Sequence, residues 1–270
     1  MIKKLAYLLS SVLLYANYTS VSLAQDCKIP VLSFQHGESI TYQAKYNWGL
    51  IWLDAGEVTF SVEKTKHRGK DAFHFVGEGG TYPKYDWIYK VEDKFESYAD
   101  PKTLLPIRFI RDVFEGGKTY YEESIFSNNK AYTFVKPHKK PLYKDTVEIK
   151  NCTFDVLSVI YHARCIDYNS YKANDKIPVN LYLDNELHEI YIRYLGKENF
   201  TAPDGKVYPC IKFSPYLIDG TIFRGGESML VYVSDDENKV PIYVEASILV
   251  GKVKAHLIRH EKLLFPLKNL

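Results

Sequence analysis

Apolar and polar residues alternate one by one through most of the chain. In SITYQAKYNW (39–48), Ile40, Tyr42, Ala44, Tyr46 and Trp48 share one face, and Ser39, Thr41, Gln43, Lys45 and Asn47 the other. EVTFSVEK (57–64) sets Val58, Phe60 and Val62 against Glu57, Thr59, Ser61 and Glu63. VPIYVEASILVGK (240–252) repeats the pattern through Ile242, Val244, Ala246, Ile248 and Val250. A two-residue period belongs to a strand with one buried face, as antiparallel sheets allow. Turn-forming clusters separate the runs: KHRGK (66–70), ADPK (99–102), EGGK (115–118), SNNK (127–130), LDNE (183–186), PDGK (203–206) and SDDENK (234–239). Their spacing predicts hairpins. The chain therefore reads as mostly β and antiparallel, with about a dozen strands in a curved sheet, an open barrel or two packed sheets.

One segment keeps a different period. In CTFDVLSVIYHARC (152–165), Val156, Leu157, Ile160, Tyr161 and Arg164 recur at steps of three and four, which predicts one long helix over about 153–166. Asn151 or Thr153 can cap it, and Asp155 sits where the helix dipole favours an acid. The polar stretch KPHKKPLYKDTVEIKN (136–151) leads into the helix. Together they form a linker (137–167) between an N-terminal strand group (about 38–136) and a C-terminal one (about 176–262). A single helix closes one sheet-lined space more easily than two, so residues 25–270 are expected to form one β-rich domain.

The first 24 residues carry no such alternation. Lys3 and Lys4 precede the apolar run Leu5–Ala16, and Ser22-Leu23-Ala24 offers small residues for cleavage, so 1–24 reads as a signal peptide. Gln25 and Asp26 before Cys27 do not suit lipid attachment. The expected product is periplasmic or secreted, with no transmembrane span after cleavage. The removed segment holds two lysines and no acid, leaving 33 basic and 33 acidic side chains. Zero net charge offers no footprint for nucleic acid. Both faces of KTYYEESIF (118–126) carry charge, which does not suit a lipid-facing barrel strand.

An oxidising compartment gives the four cysteines, Cys27, Cys152, Cys165 and Cys210, meaning as disulfide candidates. Across a continuous helix Cys152 and Cys165 lie about 20 Å apart at 1.5 Å per residue, beyond the roughly 7 Å a disulfide spans. That pairing is excluded. Cys27–Cys152 with Cys165–Cys210, Cys27–Cys165 with Cys152–Cys210, and a single bond with two free thiols all remain open.

Catalytic signatures are missing. There is no G-x-S-x-G, no phosphate-binding loop and no G-x-G-x-x-G, and the glycine pairs at 79–80, 116–117 and 225–226 read as turns. His256 and His260 sit in strand-like KVKAHLIRHE, about 13 Å apart by strand rise, too far for one metal. SDDENK lacks the ligand spacing of a calcium loop and reads as a solvated hairpin tip. Carboxylate pairs such as Asp86 with Glu92 and Asp93 are what any chain with 33 acids offers. No catalytic residue, metal ligand or cofactor is assigned. The candidate ligand-binding residues are aromatic: Tyr82, Tyr85 and Trp87 in GGTYPKYDWIYK (79–90), and Trp52 of NWGLIW (47–52). Such rings stack on sugars or hold acyl chains, although in β proteins they commonly fill the core.

Five stretches carry a family resemblance: FQHGESITYQAKYNW (34–48), DAGEVTFSV (54–62), DWIYKVEDKFESYADPKTLLPIRF (86–109), DVLSVIYHAR (155–164) and DDENKVPIYVE (235–245). With them the chain resembles exported Gram-negative (Bacteroidetes-like) proteins of the domain-of-unknown-function 3108 family. The resemblance implies a periplasmic, mostly antiparallel β protein with one helix. It implies no activity. The expected function is a non-enzymatic binding or carrier protein for an apolar or amphipathic envelope ligand, a lipid or a glycan. The alternatives are a structural protein with an envelope protein partner, and a hydrolase whose site is assembled from distant residues.

Overall fold

The computed structural model describes residues 27, 29, 31–48, 51–219 and 224–270; the predicted signal segment lies outside the described residues. The N-terminal half contains β1 (Ser39–Trp48), β2 (Ile51–His67), β3 (Lys70–Thr81), the single turn α1 (Asp86–Tyr89), β4 (Val91–Ala99), β5 (Pro106–Glu115), β6 (Lys118–Ser127), β7 (Lys130–Pro137) and β8 (Tyr143–Glu148). Then come β9 (Thr153–Phe154), α2 (Val156–Cys165), β10 (Lys176–Leu183), β11 (Glu186–Thr201), β12 (Val207–Pro215), β13 (Met229–Ser234), β14 (Pro241–Ser247) and β15 (Lys252–Glu261).

Among the described residues all fifteen strands belong to one sheet, ordered β8-β7-β6-β5-β4-β3-β2-β1-β15-β14-β13-β12-β11-β10-β9. The first and last long strands, β1 and β15, pair at its centre and join the two halves. Every neighbouring pair is antiparallel except β9 with β10. The dozen strands expected are thus fifteen, and the arrangement is neither a closed barrel nor two sheets. Its edges, β8 and β9, do not pair. Side chains bridge the halves instead: Tyr182 places its hydroxyl 2.6 Å from Thr133 Oγ1, and Arg111 Nη1 donates to Asp184 Oδ1 at 3.0 Å.

The predicted long helix is shorter than expected. Neither Asn151 nor Thr153 caps it; Asp155 does, accepting from the backbone N–H groups of Leu157 and Ser158 at 2.8 Å each. Ser158 Oγ accepts in return from the Asp155 N–H, closing a capping box. The cap has extended backbone, so Thr153 and Phe154 before it pair with β10 as a strand. Ten residues of helix remain, and they pack against the core face of the sheet. Tyr161 stacks on Phe75 with ring centroids 4.0 Å apart, and Phe34 meets Phe73, Phe75 and Tyr161 edge-on. Leu157 comes so close to Gly77 that a Cβ there would lie 3.2 Å from Leu157 Cδ2. Leu157, Tyr161, Phe154, Val179, Ile192 and Phe213 share this core.

Alternating antiparallel strands send successive connections to opposite ends of the sheet. At one end, called closed here, lie the connections 68–69, 100–105, 128–129, 202–206 and 235–240. There the buried Arg164 guanidinium donates to both Glu38 carboxylate oxygens (2.5 and 3.0 Å), to Ser33 O (2.8 Å) and to Asn238 O (3.1 Å). The Asn238 side chain donates to Phe265 O and accepts from Phe265 N–H, both at 2.9 Å, pinning the C-terminal tail. Asp236 Oδ1 accepts from Ser234 Oγ, Asn238 N–H and Lys239 N–H. SDDENK is therefore not a solvated tip, because the tail and the helix end bury Asp236 and Asn238. Cys27 is bonded to Cys152, with Cα atoms 5.5 Å apart, whereas Cys165 and Cys210 are buried thiols.

At the opposite, open end lie the connections 82–90, 116–117, 138–142, 248–251 and the one from β12 to β13. One glycine pair read as a turn is nothing of the kind: Gly79 and Gly80 lie inside β3. Close strand contact needs glycine on both sides here, since a Cβ on Gly56 of β2 would sit 2.0 Å from Gly80 O and a Cβ on Gly80 would sit 2.8 Å from Val91 O.

Candidate functional site

A cleft of about 670 Å³ opens on the outer face of β2–β6, next to the open end. Strand register builds its floor. Glu57, Gly80, Glu92, Phe114 and Thr119 lie side by side across five strands. The next row on the same face contains Glu78, Lys94 and Asp112. Gly80 leaves the depression, because it alone in its row has no side chain. Its wall comes from the β3–β4 connection, where Tyr82, Pro83 and Asp86 line the opening. Thr81 Oγ1 secures that connection, donating to Asp86 Oδ1 (2.9 Å) and accepting from Val91 N–H (3.1 Å).

Carboxylates dominate the lining. Tyr82 donates its hydroxyl to Glu57 Oε1 at 2.8 Å, and Gln43 Nε2 donates to the same hydroxyl at 3.4 Å. Lys94 pairs with Glu78 at 3.1 Å, and Lys90 pairs with Glu92 at 2.8 Å while its ammonium lies 5.8 Å from the Phe114 ring centre. Glu57, Glu78, Asp86, Glu92 and Asp112 face Lys90 and Lys94 across the cleft, while Asp93 points to the opposite face of β4. The cleft is therefore acidic, with rings at Tyr82 and Phe114.

Asp93 differs from the other acids. It is half-buried, and burial followed by the charge of neighbouring Glu115 pushes its carboxyl up to about 7, against the pull of Arg111. Its Oδ1 is buried without a hydrogen-bond partner. Asp93 and Glu115 thus form a close acidic pair in which burial and the neighbouring charge hold the Asp93 proton more tightly than usual.

Of the four aromatic candidates, the fold brings only Tyr82 to the cleft. Tyr85 sits under Lys84, whose Nζ is 4.8 Å from the ring centre, and Trp87 projects outward, 82 % exposed, with its indole N–H on Lys84 O. Trp52 lies on β2 with Lys254 Nζ 4.1 Å over its ring. Asp86 and Glu92, unremarkable in the sequence, do line the cleft, and Asp93 lies on the same strand as Glu92 with its side chain on the other face. Glu57, Glu78, Asp112 and Phe114 were not legible as site residues, since cross-strand register alone assembles them.

The fold and cleft define a barrel-like, mostly β protein with a polar surface site. The chain belongs to the family described as "Protein of unknown function (DUF3108)", whose model matches residues 41–258. A crystal structure described as a beta-barrel-like protein of domain of unknown function DUF1849, from Brucella abortus, shares the fold with a TM-score of 0.56 at 10% identity. The match covers 85% of this chain and 99% of that one. No curated protein matches the chain.

Proposed function

We propose that this is an exported, non-catalytic binding or carrier protein of the cell envelope, whose amphipathic ligand presents a glycan to the cleft. The observation that carries this reading is the row of carboxylates set beside Tyr82 and Phe114. Carboxylates accept hydrogen bonds from sugar hydroxyls, and the C–H face of a sugar packs on an aromatic ring. The volume suits a small-molecule site, which typically occupies about 300–1,000 Å³. Native mass spectrometry of protein purified from its own host, followed by saturation-transfer NMR with the recovered glycan class, tests the reading. Y82A and the double variant E57Q/E92Q should each weaken binding at least tenfold. A co-purifying ligand unaffected by those changes would overturn it.

A second reading rests on the Asp93–Glu115 pair. Burial raises the Asp93 carboxyl to about 7 beside Glu115, and a carboxyl raised in this way can act as the general acid of glycoside hydrolysis once substrate separates it from its neighbour. Turnover of a chromogenic glycoside that disappears in both D93N and E115Q would favour this reading over binding alone.

A further inference from the structure

Both lysines that line the cleft are already engaged. Lys90 pairs with Glu92 at 2.8 Å, and Lys94 divides itself between Glu78 at 3.1 Å and Glu96 at 3.5 Å. Lys84 stands over the rings of Tyr85 and Tyr82, 4.8 and 5.7 Å from their centres, and is not part of the lining. Among the described residues, Glu57, Asp86 and Asp112 form no ion pair. Glu57 accepts from the Tyr82 hydroxyl and Asp86 from Thr81, both neutral donors. Strand register distributes this excess of negative charge. Glu57 and Glu92 flank Gly80 in one row, so they rise about 10 Å apart, two strand spacings, over a floor without a side chain. Asp112 lies two residues before Phe114 on the same face of β5. Each ring of the cleft, Tyr82 and Phe114, thus has beside it a carboxylate that no cation neutralises.

We propose that the cleft selects an oligosaccharide whose sugars carry free amino groups, an inference that rests on the glycan reading of the cleft and names the class of sugar. An ammonium group brings three donors and the positive charge that the lining lacks. Its hydrogen bonds to ionised carboxylates are roughly twice as strong as those of a neutral donor. An N-acylated sugar offers a neutral amide in its place and leaves Glu57 and Asp112 uncompensated. A uronate or a phosphorylated sugar sets like charge against them. From Glu57 on β2 to Asp112 on β5 is three strand spacings, about 14 Å, a separation that calls for an oligomer rather than a single sugar. A lysine-rich peptide meets the charge, but it has no rigid C–H face to lay on Tyr82 and Phe114. The carboxylates act together because a concave site focuses their field, and salt screens that field.

The signal-cleaved chain is titrated by isothermal calorimetry near pH 6, where the carboxylates are ionised and sugar amines are protonated. The probes are the tetrasaccharides of glucosamine, N-acetylglucosamine and galacturonic acid, with tetralysine beside them. The glucosamine tetramer should bind at least tenfold more tightly than its N-acetylated counterpart, and the uronate should not bind. Raising the salt should shrink that preference. E57Q and D112N should each cut it at least threefold with unchanged circular dichroism and melting temperature, because both side chains are exposed. Y82A should weaken the glucosamine and N-acetylglucosamine tetramers alike. Equal or tighter binding of the N-acetylated or the uronate oligomer, still lost in Y82A, overturns the inference and leaves the glycan reading standing. A preference untouched in both E57Q and D112N overturns it as well. So does tetralysine bound as tightly as the glucosamine tetramer, which would make the cleft a collector of any cation. Binding of none of the three oligosaccharides removes the glycan reading together with the inference.

Discussion

At the closed end, most connections are short and polar, and the longer ones are held by buried polar groups: Arg164 with Glu38, Asn238 with Phe265, Asp236 with its own turn. At the open end the connections include long ones, show aromatic and aliphatic groups to solvent, and border the cleft. The strands between are continuous, so strand chemistry cannot explain the difference. Satisfying buried polar groups fixes one end in a single arrangement, and loops released from that duty at the other end are available for recognition. Three of the five stretches that carry the family resemblance meet at Arg164: FQHGES through Glu38, DVLSVIYHAR through Arg164 itself, and DDENK through Asn238. Those stretches therefore record how the fold is closed rather than what it binds.

The sharpest way to break the comparison is R164A. Removing one member of a buried ion pair leaves Glu38 charged and unpaired, at a cost of about 3–5 kcal/mol, and urea unfolding should show it directly. The double variant E38M/R164M removes both charges and should recover much of that loss. A native-like R164A would mean that the closed end is not held as described.

N238A comes next, at about 2 kcal/mol, because the Phe265 N–H and C=O lose their partner. The C-terminal tail should also become sensitive to limited proteolysis, whereas the β10–β15 region stays protected.

At the open end the expected effect on stability is smaller and depends on pH. Asp93 is raised in the folded state to about 7 from an ordinary 3.8. Between those values the native state binds more protons than the unfolded one, so this group's contribution is complete below about pH 4 and is lost as pH rises through about 7. D93N, neutral at all pH, should match the parent near pH 4 and exceed it at pH 8 by about 1 kcal/mol, discounted for partial exposure. Thermal melts at both pH values measure the difference. Equal midpoints at pH 8 would show that Asp93 is ionised there without strain.

Smallest of all is the effect of the open-end loop tips on folding. W87A and L249A should each change stability by less than about 0.5 kcal/mol, since both side chains stand in solvent. Differential scanning calorimetry checks this, and a larger loss would show that these tips hold the fold as the closed end does.

Much of this protein was determined by its sequence. The two-residue period specified strands because side chains on a pleat alternate between core and solvent, and the turn clusters placed most of the hairpins for the same local reasons. The helix was legible through the stripe from Val156 to Arg164, and its shortening through Asp155 followed from which acid captured the first free N–H groups. Tertiary structure decided the rest. Joining β1 to β15 at the centre of one sheet depends on contacts more than 200 residues apart, as between Ser39 and Glu261, and no local pattern encodes them. SDDENK read as solvent-exposed because burial came from a distant tail and a distant helix end. The cleft brings Glu57, Gly80, Glu92 and Phe114 together through strand register, and register is a property of the paired sheet, set by packing across strands that the sequence keeps apart.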